Sequence, residues 1–60
     1  MTKKVFYLKA IVGARSDNTE MLYNNLRSAV AADASFKEFA KKDVEFIKFF
    51  NDETFKSIVQ

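Results

Sequence analysis

The sequence predicts an all-α fold, an antiparallel helix pair followed by short capping helices, on three observations. In the stretch 18–33, a helix start signal, a helical period of apolar residues and a stop signal agree with one another. Zero Pro and a single Gly in 60 residues leave few chain breakers, so almost every stretch can form a helix or strand. Seven Phe, two Tyr and a hydrophobic content of 48% supply enough apolar side chain for one small core.

Length and composition limit the classes of function. A chain of 60 residues is expected to form one domain, 1–60, of marginal stability. The chain has no Cys and no His, so it lacks disulfides, the commonest metal ligand and the usual general base. Its formal charge of +2 is small and its basic residues are dispersed, which disfavours nucleic acid as a partner. We therefore expect no cofactor, no metal and no catalytic activity.

The first element is predicted as a helix over residues 4–15. This run of 12 residues is long for a strand, although β propensity leaves a strand over Val5–Leu8 open. Phe6, Ala10 and Gly13 form a seam that lets a second helix approach closely. Because the helix is apolar nearly all round, it is expected to be buried on several sides or to present a surface for a partner.

The start of the chain also has the outline of a signal peptide. Lys3 and Lys4 precede an apolar run that ends in the small residues Gly13 and Ala14. Lys9 interrupts this run, and a membrane span would need about 20 apolar residues. We therefore predict a soluble protein without a convincing signal peptide, and its compartment stays unassigned.

The second helix is predicted over the stretch 18–33. Asp17 and Glu20 have the spacing of a capping box at its start. The short connection before it predicts that the two helices run antiparallel as neighbours. Its buried stripe is expected to consist of Leu22, Leu26, Ala29 and Val30, with Tyr23 at the edge.

The tail, residues 35–60, contains short segments that carry Phe. Ser35 and Glu38 have capping-box spacing, and Asp43 and Asp52 can cap two further segments. Whether residues 36–50 form one kinked helix or two short ones stays open. Phe49 lies off the main apolar stripe and is expected to be partly exposed. The predicted core of the whole chain is Leu8, Leu22, Leu26, Val30, Phe39, Phe46, Ile47, Phe50 and Phe55.

Residues 6–36 combine a helix, a short turn, a second helix and a closing Asp. The residues of this pattern are Phe6, Ala10, Asp17, Asn18, Leu22, Leu26, Ala29, Asp33 and Ala34. The pattern resembles a tetratricopeptide repeat, in which Asp-Pro usually stands at the position of Asp33-Ala34. The tail is similar to the helical tails that close such repeat arrays, through Asp43, Phe46, Asp52, Phe55 and Ile58. On this resemblance residues 4–33 are one repeat-like helix pair and residues 35–60 are its capping tail.

The resemblance implies a scaffold that binds a protein, a peptide segment or upstream repeats of the same parent chain, and it implies no catalysis. It also implies that the first helix lines a groove through Lys4, Tyr7, Ile11, Ala14 and Arg15. Lys4 and Arg15 would lie about 16 Å apart along that helix, which suits an acidic segment with an apolar anchor. Packing of Tyr7 and Ile11 against a preceding repeat is the alternative.

Two other functions stay open. The apolar first helix could pair with its own copy, which would make the chain a small homodimer. A weak nucleic-acid or membrane-surface binder is less favoured because the net charge is low. Such a binder would use Lys3, Lys4, Lys9 and Arg15, or Lys37, Lys41 and Lys42.

Overall fold

Two helices of 14 residues each form a hairpin at the start of the chain. The computed structural model describes residues 2–60, with Thr2 described by its backbone alone, so the predicted domain 1–60 extends one residue beyond it. Helix α1 spans Thr2–Arg15 and helix α2 spans Thr19–Ala32. The predicted helix over residues 4–15 is confirmed, and the alternative strand over Val5–Leu8 is wrong.

The turn between the two helices is held by its own polar side chains. Asp17 has a φ of 56°, a left-handed conformation that Asp tolerates better than most residues. Asn18 then caps α2, because its side-chain oxygen accepts a hydrogen bond from the amide of Met21 at 3.1 Å. The predicted cap at Asp17 is therefore wrong by one residue. The Asp17 carboxylate instead accepts from Lys48 Nζ at 2.6 Å.

The hairpin is closely packed at Gly13. A Cβ atom at this position would lie 2.5 Å from the backbone nitrogen of Leu22 and 2.8 Å from its Cα. Ala10, one turn earlier, is fully buried. The predicted small-residue seam is thus confirmed, since only a residue without a side chain lets α2 approach α1 this closely.

The tail forms three short helices that pack against the hairpin. Helix α3 spans Phe36–Lys42, the 3-10 helix η1 spans Val44–Phe49 and helix α4 spans Glu53–Val59. The stretch 36–50 is therefore two helices, separated by Asp43 in an extended conformation. The all-α fold is confirmed, and residues 2–60 contain no strand.

The caps of the tail follow the prediction at two places and depart from it at a third. Asp43 accepts a hydrogen bond from the amide of Glu45 at 3.0 Å, and Asp52 accepts one from the amide of Thr54 at 2.9 Å. The side chain of Ser35, by contrast, makes no capping hydrogen bond. Its hydroxyl donates to the Asp33 carboxylate at 2.7 Å, so the capping box predicted for Ser35 is wrong.

The core lies where the tail covers the hairpin. The predictions for Leu22, Leu26, Phe46 and Phe55 are confirmed, since all four side chains are almost completely buried. Val30 and Phe50 are only partly buried. The other buried apolar residues are Tyr7, Ala10, Ala14, Tyr23, Ala29, Ala40, Phe49 and Val59.

The 3-10 geometry of η1 corrects the prediction for its aromatic residues. With three residues per turn, Phe46 and Phe49 lie on the same side, and both are buried. Ile47 lies with Val44 on another side and is exposed. The predictions of a buried Ile47 and a partly exposed Phe49 are therefore wrong, because both assumed the α-helical period.

The predictions of a buried Leu8 and a buried Phe39 are also wrong, since both side chains are about 60% exposed. Leu8 lies on the side of α1 opposite the small residues that contact α2. The ring of Phe39 meets the ring of Tyr7 at a centroid distance of 5.5 Å and the ring of Phe36 at 6.4 Å, and the rest of its side chain is exposed.

Candidate functional site

The side of α1 that faces away from the rest of the fold carries a row of exposed apolar side chains. Val5, Leu8 and Val12 are 46%, 60% and 53% exposed. They are spaced by three and four residues, so they lie next to one another along one face of the helix. We call these three residues the outer stripe.

Helix α1 contains four basic residues and no acidic residue. The Nζ atom of Lys3 pairs with the Asp33 carboxylate at 2.8 Å. The guanidinium of Arg15 donates two hydrogen bonds to the Glu45 carboxylate, at 2.9 and 2.7 Å, in a bidentate ion pair. The hydrogen bond from Arg15 lowers the pKa of the Glu45 carboxyl. The hydrogen bond from Lys3, helped by Ser35, holds the pKa of the Asp33 carboxyl well below its usual range.

Lys4 and Lys9 differ from these two paired bases. Both side chains are exposed, and neither forms an ion pair with any residue that the structure describes. On a helical projection Lys4 lies on one edge of the outer stripe and Lys9 on the other. The stripe is therefore an apolar surface between two uncompensated positive charges.

The five residues predicted to line a groove do not form an open surface. Tyr7 and Ala14 are buried and Ile11 is partly buried, because the tail folds over this side of α1. Arg15 is held by Glu45 from the tail, and only Lys4 is exposed without a described partner. The expectation that Tyr7 and Ala14 are accessible is therefore wrong, while partner binding by α1 stays a prediction.

Aromatic packing explains the burial of Tyr7. The ring of Phe36 stacks on it at a centroid distance of 4.9 Å, and Phe46 meets it edge-on at 5.6 Å. The hydroxyl of Tyr7 donates to the Asp43 carboxylate at 2.7 Å. Burial and this hydrogen bond raise the pKa of the Tyr7 hydroxyl.

A second Tyr–Asp hydrogen bond connects α2 to the end of the tail. The hydroxyl of Tyr23 donates to the Asp52 carboxylate at 2.8 Å, and its ring packs edge-on against Phe49. This bond is the main reason why the pKa of Asp52 is lowered. Asp43 and Asp52 thus each cap a short helix with one oxygen and bind a Tyr with the other. We call these two contacts the Tyr–Asp ties.

Sequence reasoning identified both Asp residues as caps and missed the ties. A usable signal was the repeated spacing Asp-x-x-Phe at 43–46 and 52–55, which places a core Phe three residues after each capping Asp. Nothing in that local spacing names the Tyr partner. The ties position the tail over α1 and α2, and this placement leaves the outer stripe as the exposed apolar face of α1.

Two surface hollows lie on the tail. One is lined by Phe39, Lys42, Asp43 and Val44. The carboxylate of Asp43 is already bonded to Tyr7 and to the amide of Glu45. The other is lined by Lys41, Phe50, Glu53, Phe55, Lys56, Val59 and Gln60.

Residues 2–60 contain no group of three or more acidic side chains placed to hold a metal ion. Every buried side-chain nitrogen or oxygen within that range has a hydrogen-bond partner. No helix of the described chain has the length and apolarity needed to cross a membrane.

Comparisons with known proteins add no identification to these observations. No protein-family model matches the chain. No curated protein sequence and no solved structure matches it either.

Proposed function

We propose that this chain is a protein–protein interaction module without catalytic activity, the terminal part of a tetratricopeptide-like array. In this proposal the outer stripe packs against a helix of the preceding repeat or of another protein. The sequence resemblance of residues 6–36, the tight hairpin at Gly13 and the tail packed on one side of that hairpin support the proposal. In a repeat array each repeat contacts only its neighbours, so a terminal repeat has one covered side and one side that awaits a neighbour.

The exposure of the outer stripe is the observation that carries the proposal. Gly13 of α1 lies against Leu22 of α2, and Tyr7 stacks on Phe36 of the tail, so α1 is packed on two sides without Leu8. Fully burying a Val or Leu side chain stabilises by about 1.5–3 kcal/mol. Because the three side chains are about half exposed, covering them would contribute about 3 kcal/mol in total. That is comparable to the expected stability of so small a domain, about 3–5 kcal/mol.

A fusion experiment tests whether covering the outer stripe stabilises the chain. A designed tetratricopeptide helix pair that lacks Tyr and Trp is joined upstream of the chain, and urea unfolding is followed by the fluorescence of Tyr7 and Tyr23. We expect the free energy of unfolding to rise by about 2–3 kcal/mol relative to the unfused chain, because the outer stripe becomes covered.

Matched variants locate the effect. Leu8→Glu should remove most of the gain in the fused protein, since it places a charge in the new interface. Val44→Glu changes an apolar residue on the tail that is even more exposed than Leu8, and it should leave the gain intact. If the fusion gives no gain, or if the two variants reduce it equally, the outer stripe is not the docking face and the proposal is wrong.

A further inference from the structure

The outer stripe has the spacing of a coiled-coil seam. A heptad that places Val5 at position a puts Leu8 at d and Val12 at the next a. Val at a with Leu at d is the combination that favours two-stranded packing. All three side chains are exposed, so a second helix can reach them along the same line.

The same register places the two free bases at the positions that choose a coiled-coil partner. Lys4 falls at g and Lys9 at e, the positions that flank the seam and form ion pairs with a partner helix. Both are exposed and without an ion pair among the described residues. Lys3 falls at f and pairs with Asp33, and Arg15 falls at the next d, where it pairs with Glu45 and ends the apolar seam.

These charges argue against a second copy of this chain as the occupant. In a parallel pair, Lys4 at g would face Lys9 at e of the other copy. In an antiparallel pair, g faces g and e faces e, which again sets Lys against Lys. Because α1 contains no acidic residue, neither arrangement can compensate the repulsion from within the helix.

We infer that the outer stripe binds an amphipathic helix with apolar residues at a and d and with Glu or Asp at e and g. This inference rests on the proposed function, and it adds the chemistry of the partner. The apolar contact supplies the affinity, and the acidic flanks select the partner by pairing with Lys4 and Lys9. The stripe is short, with little more than one heptad, so binding to an isolated helix is weak and reversible.

Three synthetic peptides of three heptads each test the inference on the full chain. The acidic peptide has Val at a, Leu at d and Glu at e and g; the basic peptide differs only in having Lys at e and g; the apolar-null peptide keeps Glu but has Ala at a and d. Binding is measured by amide chemical-shift titration. We expect the acidic peptide to shift the amides of residues 4–12 and to bind roughly tenfold more tightly than the basic one at low salt. The apolar-null peptide should not bind.

Charge reversal gives the sharpest control. The double variant Lys4→Glu/Lys9→Glu should prefer the basic peptide. The double variant Arg27→Glu/Lys42→Glu makes the same change in net charge at exposed sites outside α1 and should keep the preference for the acidic peptide. If the preference is inverted only in the Lys4→Glu/Lys9→Glu variant, then Lys4 and Lys9 select the charge of the partner helix.

The outcomes separate this inference from the proposed function. If the acidic and basic peptides bind equally and Leu8→Glu abolishes the binding of both, the outer stripe is an interaction surface but its partner need not be acidic. The inference is then wrong and the proposed function is supported. If no peptide shifts residues 4–12, or if the apolar-null peptide binds as well as the others, the inference is wrong, and the fusion experiment decides the proposed function separately. If sedimentation shows a concentration-dependent dimer that Leu8→Glu abolishes, the occupant is a second copy and the inference is overturned.

Discussion

Replacing Gly13 by Ala tests whether α1 and α2 pack as closely as the structure shows. The added Cβ would lie 2.5 Å from the nitrogen and 2.8 Å from the Cα of Leu22, and 3.0 Å from the carbonyl oxygen of Asn18. All three atoms belong to the backbone, so no side chain can rotate away. The helices would have to separate by a large part of an ångström, and the packing around Ala10 and Leu22 would loosen.

Two effects of opposite sign decide how much Gly13→Ala changes the free energy of unfolding. Ala is a better helix former than Gly by about 1 kcal/mol, which stabilises the variant. Overpacking a tight interior costs about 1–3 kcal/mol and more where rigid backbone must move. Because the clash is with the backbone of two residues, Asn18 and Leu22, we expect the overpacking to outweigh the gain in helix propensity, with a net loss of about 1–2 kcal/mol. For a domain of this size this lowers the melting temperature by roughly 5–15 °C.

Thermal unfolding followed by circular dichroism at 222 nm measures the change. Asn24→Ala on the exposed side of α2 is the control, because it changes helix propensity without a clash and should stabilise by a few tenths of a kcal/mol. If Gly13→Ala raises the melting temperature as the control does, propensity dominates and the close approach of the two helices is refuted.

Three further predictions concern the core, the Tyr–Asp ties and the charged contacts. Leu26→Ala should destabilise by about 2–5 kcal/mol in urea unfolding, whereas Leu8→Ala, the same change at an exposed site, should stay within about 0.5 kcal/mol; equal losses would contradict the burial pattern. Tyr7→Phe should lower the free energy of unfolding by about 1–2 kcal/mol, because it keeps the ring and removes the bond to Asp43; an unchanged value would mean that the tie contributes nothing. The pKa values of Asp33, Glu45 and Asp52 are all lowered by folding, so stability is full above the unfolded carboxyl pKa of about 4 and falls as pH drops below it. Glu45→Gln should flatten that decline in pH-dependent unfolding, and an equally steep decline would refute the role of this contact.

The hairpin could be predicted from sequence because its signals are local. The stripe that contains Leu22 and Leu26 repeats at the helical period, and polar residues mark the turn before it. The capping residue was wrong by one position, and Leu8 was wrongly expected in the core. Asp17 adopts the left-handed conformation and turns the chain, which passes the capping role to Asn18.

The tail could be predicted only in outline. Its caps at Asp43 and Asp52 are local and were found, while the 3-10 winding of η1 was not. An apolar run such as Val44-Glu-Phe-Ile-Lys-Phe-Phe50 supports either helical period, and the choice depends on which rings fit the hairpin. Phe46 and Phe49 fit together, so the tighter winding prevails and Ile47 turns outward.

The candidate site depended on contacts between residues far apart in the chain. The sequence indicates that α1 is apolar nearly all round, which leaves several faces available for a partner. The Tyr–Asp ties help to fix which face of α1 the tail covers, and they join residues 36 and 29 positions apart. A pattern with a period of three or four residues contains no information about such pairs.

The ties also explain why the exposed apolar face of α1 is the outer stripe and not the predicted groove. The groove would need the side of α1 that carries Tyr7, and Phe36 and Asp43 of the tail contact Tyr7 there. Opening it would break the hydrogen bond from Tyr7 to Asp43 and separate stacked aromatic rings, at a cost comparable to the stability of the domain. Covering Val5, Leu8 and Val12 requires no such opening, because they are already exposed. A partner that binds α1 therefore gains most by docking on the outer stripe, where Lys4 and Lys9 then act on its charge.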